Sequence, residues 1–196
     1  MNYLGHLFFS NNDLELMYAN IYGDFIKGSK LSHHPKIIQK GVKLHRSIDS
    51  YIDNHPKVLN LKKTLTKDLP KISGIAIDLY FDHILAKHWE TYSSETLKKF
   101  TETFHAHDFD VEKFDNQHFL FLLDKMKSDN WLTNYQYHHG LEFACRGLSQ
   151  RISFSNQLYA APEIFTTFRT EIEQTFNDFM TDAVPHFRQY HRQLKS

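Results

Sequence analysis

From Ile75 to Trp89 the chain is apolar around almost its whole helical circumference, as a helix enclosed by other structure is. With only 7 Gly and 5 Pro in 196 residues, and few alternating β-branched runs, the material available to enclose it is helical. The expected fold is therefore all-α, a compact multi-helix domain spanning residues 1–196. Inside the apolar segment, Asp78 and Asp82 stand one turn apart on one face. A buried carboxylate without a partner costs several kcal/mol, and two side by side cost more. Something cationic is expected to lie against them. His83 points about 100° away, able to reach a metal from a neighbouring face or to bond a backbone group.

Seventeen Phe and ten Tyr supply bulky core material. One cysteine, Cys145, allows no internal disulfide and fits a reducing cytoplasm. No run of 18 apolar residues occurs, so no membrane span is expected, and Met1–His6 lacks the basic start of a signal peptide. The net charge is zero but uneven: Lys27 to Lys71 holds eleven Lys and Arg against three acids, a net +8. Such a segment can steer an acidic partner, or can simply be a solvated helix face.

Along the chain, Asp13 is the expected cap of a helix running to about Lys27. Pro35 opens a helix to Asn54, and a short one covers Lys57–Lys67. The enclosed helix spans Ile72 to about Thr91. Ser93-Ser94-Glu95 reads as the cap of a helix reaching His105. Helices follow over Val111–Lys127 and Ser128–Arg151, the latter breaking near Gly140, and a long amphipathic helix starts at Pro162 and is kinked or ended by Pro185.

His45, Asp49 and Asp53 follow one another at spacings of four beside the apolar stripe of the 35–54 helix. Residues at i and i+4 overhang one turn and can grip a metal together, or can form a local hydrogen-bonded pair. Asp24 is a third acid among apolar neighbours. Arg46, with its planar fork, suits a phosphate, or an ion pair with a nearby acid. His6 reads as a satisfied core histidine. Oxygen-rich donors with one or two imidazoles and no thiolate suit Mn²⁺, Mg²⁺ or Fe²⁺ better than structural zinc.

Met-Asn-Tyr-Leu-Gly-His at the N-terminus, Gly-Asp-Phe-Ile-Lys-Gly at 23–28, Leu-His-Arg-Ser-Ile-Asp at 44–49, Asp53 before His55-Pro56, and Asp82-His83 followed by His88-Trp89 resemble the acyl carrier protein phosphodiesterase family. Ala19 and Ile52 depart from the family pattern, where Gly and Thr are expected. The resemblance implies an all-α, HD-type metal-dependent phosphohydrolase. Its implied substrate is holo-acyl carrier protein, the carrier of fatty acid biosynthesis, from which it releases 4′-phosphopantetheine. It also implies that His45, Asp49, Asp78, Asp82 and His83 hold a divalent metal, foremost Mn²⁺, and that Asp24, Arg46 and Asp49 act on the phosphate and the water. Lys27, Lys30, Lys36, Lys40 and Lys43 would dock the acidic carrier protein; neither nucleic acid nor membrane is expected as a partner. A hydrolase of small nucleotides or phosphoesters and a non-catalytic helical docking module are the alternatives.

Overall fold

The computed structural model of the protein describes residues 1–195, with side chains through 193. Twelve helices occur among these residues and no strand. They are α1 (Tyr3–Phe8), α2 (Leu14–Tyr22), α3 (Lys36–Asn54), α4 (Pro56–Leu65), α5 (Ser73–Lys87) and α6 (Trp89–Tyr92). In the second half come α7 (Leu97–Ala106), α8 (Gln117–Ser128), α9 (Trp131–Asn134), α10 (His138–Arg151), α11 (Ala161–Thr167) and α12 (Arg169–Lys195). The expected all-α fold is what the chain adopts.

α5 is the central helix, touched by α1, α4, α10 and α12. Its enclosure is incomplete: Ala76, Ile77 and Leu79 to Ala86 are buried, but Gly74, Ile75 and Asp78 keep partial exposure. Buried side chains from Met1 to Phe187 form one continuous core around it. No helix of the described residues is long and apolar enough to cross a membrane.

α2 and α3 make the most intimate helix pair. A Cβ on Gly41 would lie 2.4 Å from the Cβ of Ala19 and 2.2 Å from its carbonyl carbon, so the crossing depends on glycine there. The methyl of Ala19, one of the departures from the family pattern, is thus accommodated by the glycine opposite. α2 is shorter than the sequence suggests, ending at Tyr22 because Gly23–Phe25 tightens into a 3₁₀ turn.

Elsewhere, side-chain caps set boundaries that periodicity misplaces. Thr96, not Ser93 or Ser94, caps α7, accepting from the Lys99 N–H at 3.2 Å. Asn116 caps α8 by accepting from His118 and Phe119, which delays that helix past Val111. The break expected near Gly140 falls at Tyr135–Tyr137, and Gly140 lies inside α10 where a Cβ would strike the Asn134 carbonyl. Pro185 neither ends nor divides α12.

Candidate metal and active site

α1 is too short to hold itself in water, and its first-turn N–H groups lack an intrahelical partner. Asp82 of α5 supplies one. Its carboxylate accepts from the N–H of Asn2 (3.2 Å), Leu4 (2.7 Å) and Gly5 (3.1 Å), acting as a cap contributed across the fold. The N-terminal ammonium of Met1 reaches Asp78 at 2.8 Å. Burial pushes the Asp82 carboxyl up to about 7, against the pull of that ammonium and of the Leu4 and Gly5 N–H groups. The cationic partner expected beside Asp78 and Asp82 is therefore an ammonium and a helix N-terminus. These are the groups within hydrogen-bond reach of the two acids expected at the metal. Asp82 is fully buried behind α1, whereas Asp78 is partly exposed. His83 also turns away: its Nδ1 donates to the Tyr135 carbonyl at 2.6 Å and its ring packs edge-on against Phe165.

Held by Asp82, α1 places His6 against His45 of α3. The two imidazoles stack with centroids 4.2 Å apart and planes 18° from parallel. Gly23 makes room for the second ring, since a Cβ there would lie 2.6 Å from the His45 Cβ and Cγ. Asp49 presents one carboxylate oxygen to each ring, 3.2 Å from His6 Nε2 and 3.2 Å from His45 Nε2. Asp24, at the mouth, lies 3.1 Å from His45 Nε2. Among the described residues, His6, His45 and Asp49 are the one group of potential ligands whose donor atoms all lie within 4.8 Å of one another.

The tautomer of His6 decides what this cluster can do. Asn20 donates from Nδ2 to the His6 carbonyl (2.8 Å) and to Ser10 Oγ (3.0 Å), which fixes the amide so that Oδ1 faces His6 Nδ1 at 3.0 Å. Nδ1 must then carry the proton, leaving a lone pair on Nε2. Burial holds the His6 pKa below its usual value, favouring the neutral ring. A lone pair thus faces a carboxylate oxygen, an arrangement that a cation between them would satisfy. His45 Nδ1 is buried without a hydrogen-bond partner.

The cluster opens onto a cavity of about 370 Å³ lined by the acids Asp24, Asp49, Asp53 and Asp78, with Ile52, Ile75, Leu79 and Leu148 as apolar walls. Four carboxylates repel a phosphate, and a divalent cation would offset half of their charge. Two imidazoles and one carboxylate fit a divalent first-row ion such as Fe²⁺, Mn²⁺ or Zn²⁺.

Arg46 does not line this cavity. Expected at the phosphate, its Nη2 donates to the carbonyls of Ile26 (3.0 Å) and Gly28 (2.7 Å), fastening the loop after Gly23–Phe25. The five lysines are all exposed, but Lys36, Lys40 and Lys43 lie about 120–180° around α3 from Asp49. Lys27 and Lys30 follow the turn that bears Asp24. The sequence reading missed His6. The signal was present, since His6 is an ionisable residue in an apolar segment, but its ligand-like tautomer depends on Asn20 in another helix.

Fold and site together define an all-α protein with a stacked His–carboxylate cluster open to an acid-lined cavity. Residues 1–183 match the profile of the acyl carrier protein phosphodiesterase family, and the chain belongs to that family. Acyl carrier protein phosphodiesterases of Salmonella agona (strain SL483) and Salmonella newport (strain SL254) are each 27% identical to it over 152 residues, 77% of this chain and 79% of theirs. No solved structure matches the chain.

Proposed function

We propose that this chain hydrolyses the phosphodiester joining 4′-phosphopantetheine to a serine of an acyl carrier protein, with a divalent metal, Mn²⁺ foremost, held by His6, His45 and Asp49. The observation that carries the metal is the His6 Nε2 lone pair set 3.2 Å from Asp49 by the Asn20 hydrogen bonds. Membership of the family supports the substrate. When bound, the ion would neutralise phosphoryl charge and lower the pKa of water.

The chain's own residues supply the rest. Asn20 and Ser10 hold the His6 ring, and Gly23 seats His45. Asp24, half-exposed at the mouth and 3.1 Å from His45 Nε2, takes the proton of the attacking water. Water oxygen bonds to phosphorus, the bond to the serine oxygen breaks, and that oxygen gains a proton, giving apo carrier protein and 4′-phosphopantetheine. Asp78 lines the cavity beside the ammonium it binds, so it shapes the field without joining the ligands. Kinship with HD-type phosphohydrolases and residence in a reducing cytoplasm belong to the same proposal. The all-α fold supports the first, and the single buried cysteine the second.

The test is incubation with holo carrier protein and Mn²⁺, read by mass spectrometry as loss of phosphopantetheine. A carrier protein of unchanged mass, with Mn²⁺ shown to bind, would reject the substrate and favour a small phosphoester.

A further inference from the structure

We propose that Arg151 is the residue that binds the substrate's phosphate, gripping the phosphoryl oxygens at the mouth of the cavity. The assignment deepens the phosphodiesterase reading and rests on it. Arg151 is the last residue of α10 and the only Lys or Arg among the side chains that line the cavity containing Asp24 and Asp49. Four carboxylates share that lining, yet Arg151 forms no salt bridge with any acid among the described residues. Its guanidinium instead sits over the Trp131 ring, 5.9 Å from the centroid. The cation–π contact holds the guanidinium over the indole and the Tyr3 hydroxyl meets one of its N–H groups, leaving the others for a phosphate.

Tyr3 ties this cation to the cluster. Its ring meets Trp131 edge-on at 5.7 Å, and it lines the same cavity. Burial first, then Asp24, raises the Tyr3 hydroxyl to about 12, while Arg151 pulls it the other way, so the hydroxyl feels both. The arginine the sequence suggested, Arg46, is engaged by the Ile26 and Gly28 carbonyls outside the cavity. A phosphodiester lying between the His–Asp cluster and Arg151 would run along Ile52, Ile75, Leu79 and Leu148, a wall suited to the gem-dimethyl end of a pantetheine arm.

The experiment compares wild type, Arg151→Gln, Arg151→Lys and Arg46→Gln, all loaded with Mn²⁺. Inorganic phosphate binding and Mn²⁺ affinity are read by calorimetry, and KM and kcat are read on holo carrier protein. Arg151→Gln should weaken phosphate binding and lower kcat/KM by about ten- to a hundred-fold, the loss expected for charge-assisted hydrogen bonds, with Mn²⁺ affinity unchanged. Arg151→Lys should recover part of the loss, because a point charge replaces a fork. Arg46→Gln should keep phosphate affinity within about two-fold, since its bonds are to backbone. Phosphate binding by Arg151→Gln equal to wild type, or a wild type that binds no phosphate, overturns the assignment. If wild type leaves holo carrier protein intact but Arg151→Gln still loses phosphate, the substrate reading falls and Arg151 stands. Equal hydrolysis by both proteins, with equal phosphate binding, rejects Arg151 and leaves the substrate reading in place.

Discussion

Two ionisable clusters lie against α1, and they differ in whether their hydrogen bonds close. At Asp82, three backbone N–H groups converge on one carboxylate, with the Met1 ammonium on Asp78 beside it. At His6, His45 and Asp49, a lone pair faces an oxygen and His45 Nδ1 has no partner. Buried polar groups are almost always satisfied, so the closed cluster is explained by the fold itself. The open one is what the proposed ion would close. Burial of charge therefore identifies both places, but only the partner count separates scaffold from site. The scaffold also serves the site: by capping α1, Asp82 holds the helix that presents His6.

The comparison breaks first at Asp82. Asp82→Ala strands two buried N–H groups and a partly buried third, and the ammonium loses a neighbouring anion. A loss of roughly 3–5 kcal/mol is expected, a fall in Tm on the order of 10 °C, with any activity loss following from unfolding. A thermal melt unchanged from wild type would show that α1 does not depend on this cap. The same residue predicts a pH signature. Its folded pKa, about 7, lies above the ordinary value of about 3.9, so the stability linked to its proton is fully present below pH 4 and is lost as pH rises through 7. Besides the N–H groups, the charges that reach it are the ammonium and Asp78. The stability gap between wild type and Asp82→Asn, measured by urea unfolding, should narrow across that window.

The open cluster should respond in the opposite way. Asp49→Asn or His6→Ala is expected to lower hydrolysis by more than about 100-fold, beyond what losing an outer-shell partner costs, while the melt of Asp49→Asn stays within a few degrees of wild type. Near-normal turnover in Mn²⁺-replete buffer would remove either residue from the centre. Metal itself sharpens the contrast. At ten times its dissociation constant, Mn²⁺ should stabilise wild type and Asp82→Asn alike by about 1.4 kcal/mol, and Asp49→Asn hardly at all. Equal stabilisation of all three would place the ion elsewhere.

These differences explain what could be read in the sequence. The helical fold was legible because residues at helical spacing, as in Ile172, Phe176, Phe179 and Met180, are buried as their pattern demands. His45 and Asp49 were legible because i and i+4 place them together on one helix. Asp82 was legible as buried, not as a cap, because backbone N–H groups carry no residue signature. His6 was legible only as an ionisable residue in an apolar segment and Arg151 not at all, because each meets its partner on another helix, Asn20 for one and Trp131 for the other. Arg46 looked like a phosphate ligand because its composition does not reveal that two carbonyls already occupy it.

The smallest expected effect concerns the two halves of the basic segment. Lys36, Lys40 and Lys43 ride the solvent side of α3, turned away from Asp49, whereas Lys27 and Lys30 follow the turn that bears Asp24. Their attraction for an acidic carrier protein is long-range and is screened over roughly 8–10 Å at physiological salt. Side of the molecule should therefore matter more than number of charges. Reversing Lys27 and Lys30 to Glu should raise KM for holo carrier protein a few-fold at low salt, and the effect should fade as salt is added. Lys40→Glu with Lys43→Glu should do less, and neither pair should alter hydrolysis of a small phosphodiester, which needs the centre but not the surface. A larger KM effect from the α3 pair would mean that the carrier protein approaches over the back of α3. Equal losses on both substrates would mean that charge reversal had disturbed the loop that Arg46 fastens, and with it the position of Asp24.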